Sequence, residues 1–484
     1  MKEQFLSLNP SSLWGYFYDF TQIPRPSFHE DQVIEYLIQF AKEKSLECIK
    51  DKAGNIIIRK PGTKGLENAP AVVLQSHVDM VPQKNNDTEH DFENDPLKPY
   101  IDEDWVKAKG TTLGADNGIG CSAILAVLAS TDIAHPPIEG LFTIEEETGL
   151  TGASNLEKNV LKGKLMLNLD SEDEGEVFIG CAGGCDSTVW LSFTEQECPS
   201  NEYIAYKISI TGLKGGHSGI DISKKRANAI RVMGHLLLNI DEKFGVLLAD
   251  IEGGTKRNAI PRECFATVAL PNWEDENIKA LAADLEKLYK EELATEDNDL
   301  KITIEECTLP EKFIDTETAH TLFSLVNQLP NGVISWSKSV SDIVETSTNL
   351  AIIKVENSII NIDMLQRSSV DEAKEYLCQQ IKTLCESFGA TVQQSNDYPG
   401  WDPKPESTLL SKAKVVHKNL FGKEPEVKVI HAGLECGIIG NRYPEMQMIS
   451  FGPNIREAHT PNEKVQISSV ANFWKYLCEI LKSN

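Results

Sequence analysis

The stretch that decides the fold is Ala71–Pro82, AVVLQSHVDMVP. A small and apolar run leads to His77 and Asp79, and Pro82 cannot continue a strand ladder because proline has no backbone N–H. This pattern is typical of a buried strand. Open α/β sheets bind ligands beyond the carboxyl ends of their strands, so we expect His77 and Asp79 to lie at the mouth of a site. Taken alone, His77 fits a hydrogen-bonded core histidine better than a metal ligand.

The composition is that of a globular protein. The chain has 484 residues, of which 41% are hydrophobic and 25% charged, and this length predicts two domains. The net charge is 47 − 73 = −26 without a basic cluster, which argues against a nucleic-acid partner. Eleven cysteines without CxxC pairs indicate reduced thiols in the cytoplasm. The first residues lack a signal-peptide pattern and no long apolar run occurs, so we expect a soluble cytoplasmic protein without membrane contact.

Side chains that can bind a metal follow several predicted elements. Asp116 lies in a glycine-rich turn that enters an apolar helix, and an apolar strand runs into the acidic triplet Glu145–Glu147. Another strand ends at Asp170, and His459 follows a strand near the C-terminus. Clustered carboxylates repel one another unless a cation is present. The excess of carboxylates over imidazoles predicts a site for two ions, with zinc, manganese or cobalt as candidates.

Each of these residues also has an ordinary structural explanation. Aspartate is a common helix N-cap, an acidic turn is usually solvated, and a loop histidine is usually exposed. The N-cap explanation does not account for the several glycines around Asp116, which allow backbone to approach closely.

The predicted elements change character after residue 185. Residues 186–396 contain two similar series of strands and helices, which predicts an inserted α+β domain with a weak internal duplication. The Pro- and Gly-containing segment Asn396–Pro405 is a linker back to the first domain. We therefore expect an α/β protein in which residues 1–185 and 397–484 form one domain and residues 186–396 form the other.

Six short motifs in a fixed order carry a family resemblance: SHVDM, GADNG, EEETG, NLDSE, GLKGGHSG and REAHTPNE. Together they resemble the M20 metallopeptidases. Longer runs such as GTTLGADNGIG, RNAIPRE and IHAGLECG resemble, more narrowly, the aminoacyl-histidine dipeptidases of that family. The resemblance covers essentially the whole chain. It implies a mixed-sheet zinc-peptidase catalytic domain, an inserted α+β lid domain, and a homodimer formed through the lid.

The resemblance further implies an activity and a cofactor. The activity is hydrolysis of small unblocked dipeptides, typically with a C-terminal histidine. The cofactor is two Zn²⁺ per subunit, for which Co²⁺ or Mn²⁺ could substitute. By position in the motifs, His77 and Asp170 hold one ion, Glu147 and His459 hold the other, and Asp116 bridges them.

The same resemblance implies the catalytic roles. Asp79 receives the second ring N–H of His77, which fixes its tautomer. Glu146 is the general base that activates water and passes the proton to the leaving amine. The register within the acidic triplet depends on Gly149, and Glu145 stands where relatives often have aspartate. The roles within the triplet therefore rest on the family register alone.

Four further residues are expected to contact the substrate. His217 would donate to the oxyanion, within one subunit or across a dimer, and Arg367 would bind the free carboxylate of the dipeptide. Asn258 would assist Arg367, and Glu435 would meet the substrate amine. The ordinary alternatives are a flexible glycine-rich turn around His217, a surface arginine and a turn-forming asparagine.

Two other functions fit the same sequence. An N-acyl-amino-acid deacylase or a carboxypeptidase would share this architecture and differ in the lid and the amine-side pocket. An inactive metal-binding relative is the alternative outside enzymes. The presence of the inferred base and of all five inferred ligands argues against it.

Overall fold

The computed structural model describes residues 1–200, 202–293 and 297–483 and shows two compact units. The first unit is built from both ends of the chain and contains Met1–Gly180, Pro403–Val429 and Leu434–Asn484. The second unit contains Cys181–Asp402 and the short segment Ile430–Gly433. Helices and strands occur in both units, so the predicted α/β class is confirmed. The domain boundaries drawn from the sequence remain a prediction.

The first segment of the chain alternates helices and strands. Its elements are α1 (Lys2–Leu6), α2 (Ser11–Thr21), α3 (Asp31–Glu43), β1 (Glu47–Lys50), β2 (Ile56–Lys60), β3 (Val72–His77), β4 (Pro99–Asp102), β5 (Trp105–Ala108), α4 (Ala115–Ala129), β6 (Ile138–Thr143), α5 (Thr151–Ser154), β7 (Leu165–Asn168) and β8 (Glu176–Cys181).

The inserted segment is richer in strands. Its elements are β9 (Gly183–Ser192), β10 (Glu195–Gln196), β11 (Tyr203–Thr211), β12 (Gly216–His217), α6 (Ala229–Phe244), β13 (Leu247–Gly253), β14 (Ala259–Ile260), β15 (Cys264–Pro271), a 3-10 turn (Asn272–Glu274), α7 (Asp275–Glu292), β16 (Lys301–Cys307), β17 (Phe313–Ile314), α8 (Thr316–Gln328), β18 (Gly332–Trp336), β19 (Val344–Glu356), β20 (Ile359–Ser368), α9 (Asp371–Ser387) and β21 (Thr391–Tyr398).

The returning segment completes the first unit. Its elements are α10 (Thr408–Phe421), β22 (Glu426–Ile430), α11 (Glu435–Arg442), β23 (Gln447–Ser450), β24 (Ile455–Arg456), β25 (Lys464–Gln466) and α12 (Ile467–Ser483). Among the residues that the structure describes, every helix falls short of the length or the hydropathy that a membrane span requires.

A mixed eight-stranded sheet forms the centre of the first unit, in the order β1-β2-β6-β3-β7-β23-β8-β22. Strand β3 pairs in parallel with β6 on one side and β7 on the other, whereas β1, β2 and β6 pair antiparallel. All residues of β3 and β6 are buried, as their apolar sequences predict for strands covered on both faces. The predicted buried strand before His77 is thus confirmed, and it lies inside the sheet.

Ser27 and Glu30 have the spacing of a capping box ahead of an apolar, helix-like run, which predicts that they cap the helix that follows, and this prediction is wrong. Helix α3 begins at Asp31 with Glu30 as its N-cap residue, and no side chain caps it. Ser27 instead donates its hydroxyl to Oδ2 of Asp79 at 2.8 Å. A carboxylate is a stronger acceptor than a neutral group. Ser27 therefore supports the strand end that carries Asp79, and not the helix.

The segment from Val81 to Asp104 is polar and contains prolines, which predicts a surface excursion, but its end forms regular structure. Strands β4 and β5 form a hairpin, and β5 pairs with β25 from the C-terminal segment. With β24 they make a four-stranded antiparallel sheet. Short polar strands of this kind lack the apolar runs that reveal a buried strand.

The second unit has a nine-stranded sheet in the order β16-β11-β15-β13-β19-β20-β9-β21, with β18 added beside β19. Its strands pair antiparallel throughout. Strands from both predicted series lie in this one sheet. Helices α6, α8 and α9 contribute buried residues to a single apolar core. A shared core makes the two series parts of one folded body.

Candidate active site

Three neighbouring strands bring metal-capable residues to one edge of the first unit's sheet. His77 is the last residue of β3, Glu146 and Glu147 follow β6, and Asp170 follows β7. The strand order is β6-β3-β7, and both pairings are parallel. The carboxyl ends of parallel neighbours lie at the same edge, so the side chains that follow them converge.

Asp116 lies between the two histidines. Its Oδ1 is 3.0 Å from Nε2 of His77, and its Oδ2 is 3.1 Å from Nε2 of His459. Oδ1 of Asp170 lies 3.4 Å from the same nitrogen of His77, and Oε2 of Glu147 lies 3.0 Å from that of His459. The cluster therefore has two halves, each with one imidazole and one carboxylate, and Asp116 offers one oxygen to each half.

The donor atoms fit divalent cations. Ligand atoms lie within 4.8 Å of one another in three groups, which are His77 with Asp116 and Asp170, Asp116 with Glu147 and His459, and His77 with Glu146 and Glu147. Hydrogen bonds with Asp116 and Glu147 raise the pKa of His459 to about 11. The proton that these carboxylates hold on the imidazole occupies a position that a cation could take. Oε1 of Glu147 is buried and lacks a hydrogen-bond partner among the described residues, which leaves a further oxygen that could bind a cation.

The carboxylates of the cluster are crowded. Burial, together with Asp170 and two other acids, raises the pKa of Glu146 well above its ordinary value. Burial likewise raises the pKa of Glu172 to about 8, with contributions from Asp116 and Asp170. Like charges in a desolvated site disfavour ionisation of one another unless a cation neutralises them.

Asp79 connects the first histidine to the acidic triplet. Its Oδ1 is 3.3 Å from Nδ1 of His77, and its two oxygens accept the backbone N–H groups of Glu146 at 3.0 Å and Glu147 at 3.2 Å. Burial alone would raise the pKa of Asp79, but the interactions with His77 and with these donors lower it overall. The backbone N–H of Glu145 has a different acceptor, Oε1 of Glu30 at 3.2 Å. Asp79 is thus placed to orient both His77 and the turn after β6.

The N-cap alternative for Asp116 is not what the structure shows. Helix α4 has Gly114 at its N-cap with φ 66°, and Asp116 has non-helical backbone angles. The carboxylate of Asp116 faces the two histidines and does not cap the helix. Asn117 holds Asp170 in place, because its amide donates to Oδ1 of Asp170 and to the carbonyl of Leu169.

Glu435 is fully buried in the first unit, at the start of α11. Its Oε2 accepts hydrogen bonds from Nε2 of Gln75 at 2.5 Å and from the hydroxyl of Thr143 at 2.7 Å. Burial raises the pKa of Glu435 to about 8. The structure thus places this predicted substrate contact below the strand ends, among buried polar groups.

The other predicted substrate contacts belong to the second unit. Arg367 lies on β20 with 6% of its surface exposed, and its Nη1 donates to the hydroxyl of Tyr398 at 3.1 Å. Among the described residues Arg367 forms no ion pair with an acid. His217 lies on β12, where its Nδ1 accepts the backbone N–H groups of Gly219 at 3.1 Å and Ile220 at 3.2 Å. The ring proton of neutral His217 is therefore on Nε2.

Asn258 is an exposed turn residue just before β14. Strand β14 pairs with β12, and the carbonyl of Asn258 accepts the N–H of Ser218 at 2.8 Å. Burial and the guanidinium of Arg367 lower the pKa of His217, so these two side chains influence one another within the unit. Asn258, His217 and Arg367 are accordingly brought into one region of the second unit.

Residues 73–483 match the Peptidase family M20/M25/M40 over most of the chain. The chain belongs to the M20 peptidase family. The chain is 43% identical over 475 residues to the cytosol non-specific dipeptidase of Escherichia coli (strain K12), and the matched region covers 98% of each chain. It is 42% identical to the aminoacylhistidine dipeptidase of Vibrio alginolyticus, whose crystal structure matches with a TM-score of 0.95 over 100% of this chain and 99% of that one.

A more distant structure shares only the fold. The aminopeptidase PepT of Bacillus cereus has 17% identity and a TM-score of 0.57, with 98% of each chain covered. The resemblance to the M20 family that the six motifs indicate is confirmed.

Two residues that support the centre of this M20 peptidase were missed in the sequence. The carboxylate of Glu463, 2% exposed, accepts the backbone N–H groups of Leu113, Gly114, Ala115 and Asp116 at 2.8, 2.9, 2.7 and 3.2 Å. One loop therefore supplies both His459 and the anchor of the turn that carries Asp116. The glutamate is present in the motif REAHTPNE, but no local pattern indicates which backbone it contacts.

The other missed residue is Arg25. Its guanidinium is buried and donates to the carbonyls of Val78, Asp79 and Gly114, at 2.8, 3.0 and 2.5 Å. A Cβ atom on Gly114 would lie 2.5 Å from Nη2 of Arg25, and one on Gly118 would lie 2.7 Å from it. The glycines of GADNG thus make room for an arginine that joins the end of β3 to the turn of Asp116.

In the second unit of this M20 peptidase, sequence reasoning missed His431. It lies in the segment Ile430–Gly433, and its Nε2 is 2.7 Å from the hydroxyl of Ser347. Burial, together with the nearby Arg367 and His217, lowers the pKa of His431 to about 3. The motif IHAGLECG contains this histidine, but only the fold places it beside Arg367.

Proposed function

We propose that this M20 peptidase is a dinuclear zinc dipeptidase that hydrolyses unblocked dipeptides, including those with C-terminal histidine. The observation that carries the proposal is the convergence of two imidazoles and three carboxylates in two halves around Asp116. Identity of 43% and 42% over nearly full length with a cytosol non-specific dipeptidase and an aminoacylhistidine dipeptidase supports the substrate class. The first of these relatives is named a cytosol dipeptidase, and this supports a cytoplasmic location for the present protein.

The geometry supports one assignment of ligands. His77 and Asp170 would hold one ion, Glu147 and His459 the other, and Asp116 would bridge them, because each pair already faces a different oxygen of Asp116. Two imidazoles with carboxylates are a ligand set that zinc commonly takes, and Co²⁺ or Mn²⁺ could substitute. When bound, two such ions polarise the scissile carbonyl and lower the pKa of a water.

Glu146 is the general base in this proposal. It lies in one group with His77 and Glu147, yet neither half around Asp116 requires it as a ligand. Its carboxylate would take a proton from water and give it to the leaving amine, so that one group serves both proton transfers. Glu147 faces His459 at 3.0 Å, which supports its role as the ligand of the pair. Asp79 would fix the tautomer of His77 from the other side of the ring.

The second unit would supply the groups that bind the substrate. A buried guanidinium without an acidic partner is costly unless an anion is bound, and a guanidinium matches the two oxygens of a carboxylate. Arg367 would therefore bind the free carboxylate of the dipeptide, with Asn258 assisting. His217 would donate its Nε2 proton to the developing oxyanion. The second experiment below also tests whether His217 acts within its own subunit or in the partner subunit of a homodimer.

The first experiment removes the metal. The purified protein should contain two zinc ions per chain by elemental analysis, lose dipeptidase activity after chelation, and regain it with Zn²⁺, Co²⁺ or Mn²⁺. Magnesium serves as the control ion, because it prefers oxygen ligands and binds imidazole poorly. Full activity in the stripped protein would overturn the proposal.

The second experiment tests the substrate class. A panel should contain Xaa-His dipeptides, other dipeptides, tripeptides and N-acetyl amino acids at equal concentrations. We expect turnover of free dipeptides and little turnover of N-acetyl amino acids. Preferred turnover of the acetylated substrates would instead identify a deacylase. Activity that reappears when a Glu146→Gln chain is mixed with a His217→Ala chain would show that subunits share the site.

A further inference from the structure

Four polar side chains are buried together beneath the ligand-bearing strand ends of the first unit. Gln75 lies on β3, Thr143 on β6, Asn168 on β7 and Glu435 at the start of α11, and each is 0% exposed. Buried polar groups are costly unless they are hydrogen-bonded. Such a layer in a sheet of apolar strands therefore needs an explanation.

The shortest hydrogen bonds of this layer lead to Glu435. Asn168 donates to Oε1 of Gln75 at 2.5 Å, which turns the amide N–H of Gln75 toward Oε2 of Glu435 at 2.5 Å. The hydroxyl of Thr143 donates to the same oxygen at 2.7 Å. One carboxylate thus joins three strands, directly for β3 and β6 and through Gln75 for β7.

The position of the layer relates it to the metal centre. Gln75 precedes His77 by two residues in β3, and Asn168 precedes Asp170 by two. Side chains two apart on a strand share a face, so this layer lies one step, roughly 6–7 Å, below the ligands. Thr143 is the last residue of β6, before the acidic turn with Glu147. The three strands joined by Glu435 are those that present His77, Glu147 and Asp170.

The remaining oxygen of Glu435 is also informative. Oε1 is buried and has no hydrogen-bond partner among the residues that the structure describes. Glu435 as a whole is 0% exposed, so a substrate amine could reach it only after the surrounding groups had moved. The geometry thus favours an internal role over direct contact with substrate.

We propose that Glu435 is a positioning residue of the metal centre, which holds the ends of β6, β3 and β7 so that their ligands meet around the ions. This inference rests on the proposed function for the identity of the ions. It replaces the substrate-amine contact expected for Glu435. The two roles differ in what they control, since positioning acts on metal affinity and amine contact acts on KM.

The test compares Glu435→Gln with the wild-type protein in two measurements. The dissociation constant for Zn²⁺ is measured by competition with a chromophoric chelator, and kcat and KM are measured with an Xaa-His dipeptide at saturating zinc. Loss of a residue that hydrogen-bonds a metal ligand costs about 10–100-fold in metal affinity. Glu435 acts one layer further from the ligands, so we expect a loss toward the lower end of this range with an unchanged KM. A raised KM with unchanged zinc affinity would overturn the positioning role and support the amine contact.

Two further variants keep the test decisive. Glu445→Gln changes an exposed glutamate just after α11 and should leave zinc affinity and kinetics as in the wild type. If Glu435→Gln does not fold, Thr143→Val removes one donor with little change of shape, and weaker zinc binding is again expected. Unchanged zinc affinity in Thr143→Val would then refute the proposal. If the wild-type protein did not bind zinc or did not cleave dipeptides, the proposed function would fail. That outcome is distinct from a failure of the positioning role, which is measured as a difference between variant and wild type.

Discussion

The two units hold clusters of opposite charge. In the first unit, carboxylates converge on His77 and His459, and the pKa of Glu146 is raised by burial and by its acidic neighbours. In the second unit, Arg367 lies near His217 and His431, and the pKa values of both histidines are lowered by burial and by the guanidinium. The first cluster has an excess of negative charge that a cation would relieve. The second has a cation that an anion would complement.

The clusters also differ in how they are supported. The first is anchored through backbone, because Glu463 accepts four N–H groups around Asp116 and Arg25 donates to three carbonyls. Within the described part of the chain, the guanidinium of Arg367 has a single hydrogen bond, to Tyr398. A metal centre requires several ligands fixed in position, whereas a carboxylate can be bound by one guanidinium. Substitutions in the first cluster should therefore change kcat or metal binding, and those in the second should change KM.

The largest expected effect is that of Glu146→Gln. Loss of a positioned general base should reduce kcat by a factor on the order of 10²–10⁴, and the amide should leave zinc content unchanged. Steady-state kinetics and elemental analysis measure the two quantities. Glu145→Gln is the matched control, because Glu145 is adjacent to Glu146 and its own carboxylate has no assigned role. A larger loss of kcat in Glu145→Gln than in Glu146→Gln would show that the register of the triplet is wrong.

The next effect is that of Arg367→Ala. Loss of a hydrogen bond between charged groups should cost about 1.5–3 kcal/mol of binding free energy. This raises KM for dipeptides by about 10- to 150-fold, with a smaller change in kcat. A dipeptide with an amidated C-terminus should bind equally poorly to both proteins, since it has no carboxylate to lose. Arg262→Ala changes an exposed arginine of the same unit and provides the control. Equal KM values for the wild type and Arg367→Ala would remove the carboxylate contact.

A smaller effect is expected for Glu463→Gln. An amide nitrogen cannot accept the N–H groups that one carboxylate oxygen now accepts, so buried donors near Asp116 lose their partner, at a cost of about 1–3 kcal/mol. We expect a lower Tm of the metal-free protein together with weaker zinc binding. Glu457→Gln, an exposed position in the same loop, should change neither. Normal zinc affinity in a destabilised Glu463→Gln would show that Glu463 supports the fold without affecting the centre.

The smallest effect concerns His431 and pH. With a pKa of about 3, its imidazole stays neutral in the folded chain, whereas in the unfolded chain it binds a proton below about pH 6.5. The stability that this group contributes is complete above pH 6.5 and is lost, by at most about 1.4 kcal/mol per pH unit, as pH falls toward 3.

His431→Gln should therefore lose less stability than the wild type between pH 7.5 and 5.5, as measured by denaturant unfolding at both pH values. His29→Gln replaces an exposed histidine and controls for a general effect of losing an imidazole. Parallel pH profiles for the wild type and His431→Gln would contradict a neutral, buried His431.

Much of the first unit could be predicted because its signals are local. The apolar run before His77, the glycines around Asp116 and the strand before the acidic triplet each indicate their element within about ten residues. The parallel pairing of β3 with β6 and β7 then brings the strand ends together. The polar strands β4 and β5 escaped prediction because short, half-exposed strands have weak periodicity.

The sequence by itself determined the residue types, the strands and turns that present them, and membership of the M20 family. Only the tertiary structure decided the partners: Glu463 meets backbone about 350 residues away, and Gln75 meets Glu435 across 360 residues. Periodicity shows which face of an element is buried, but it carries no information about which distant element covers that face. Partner choice depends on packing of the whole chain, and so Arg25, His431 and Glu463 became recognisable only after folding.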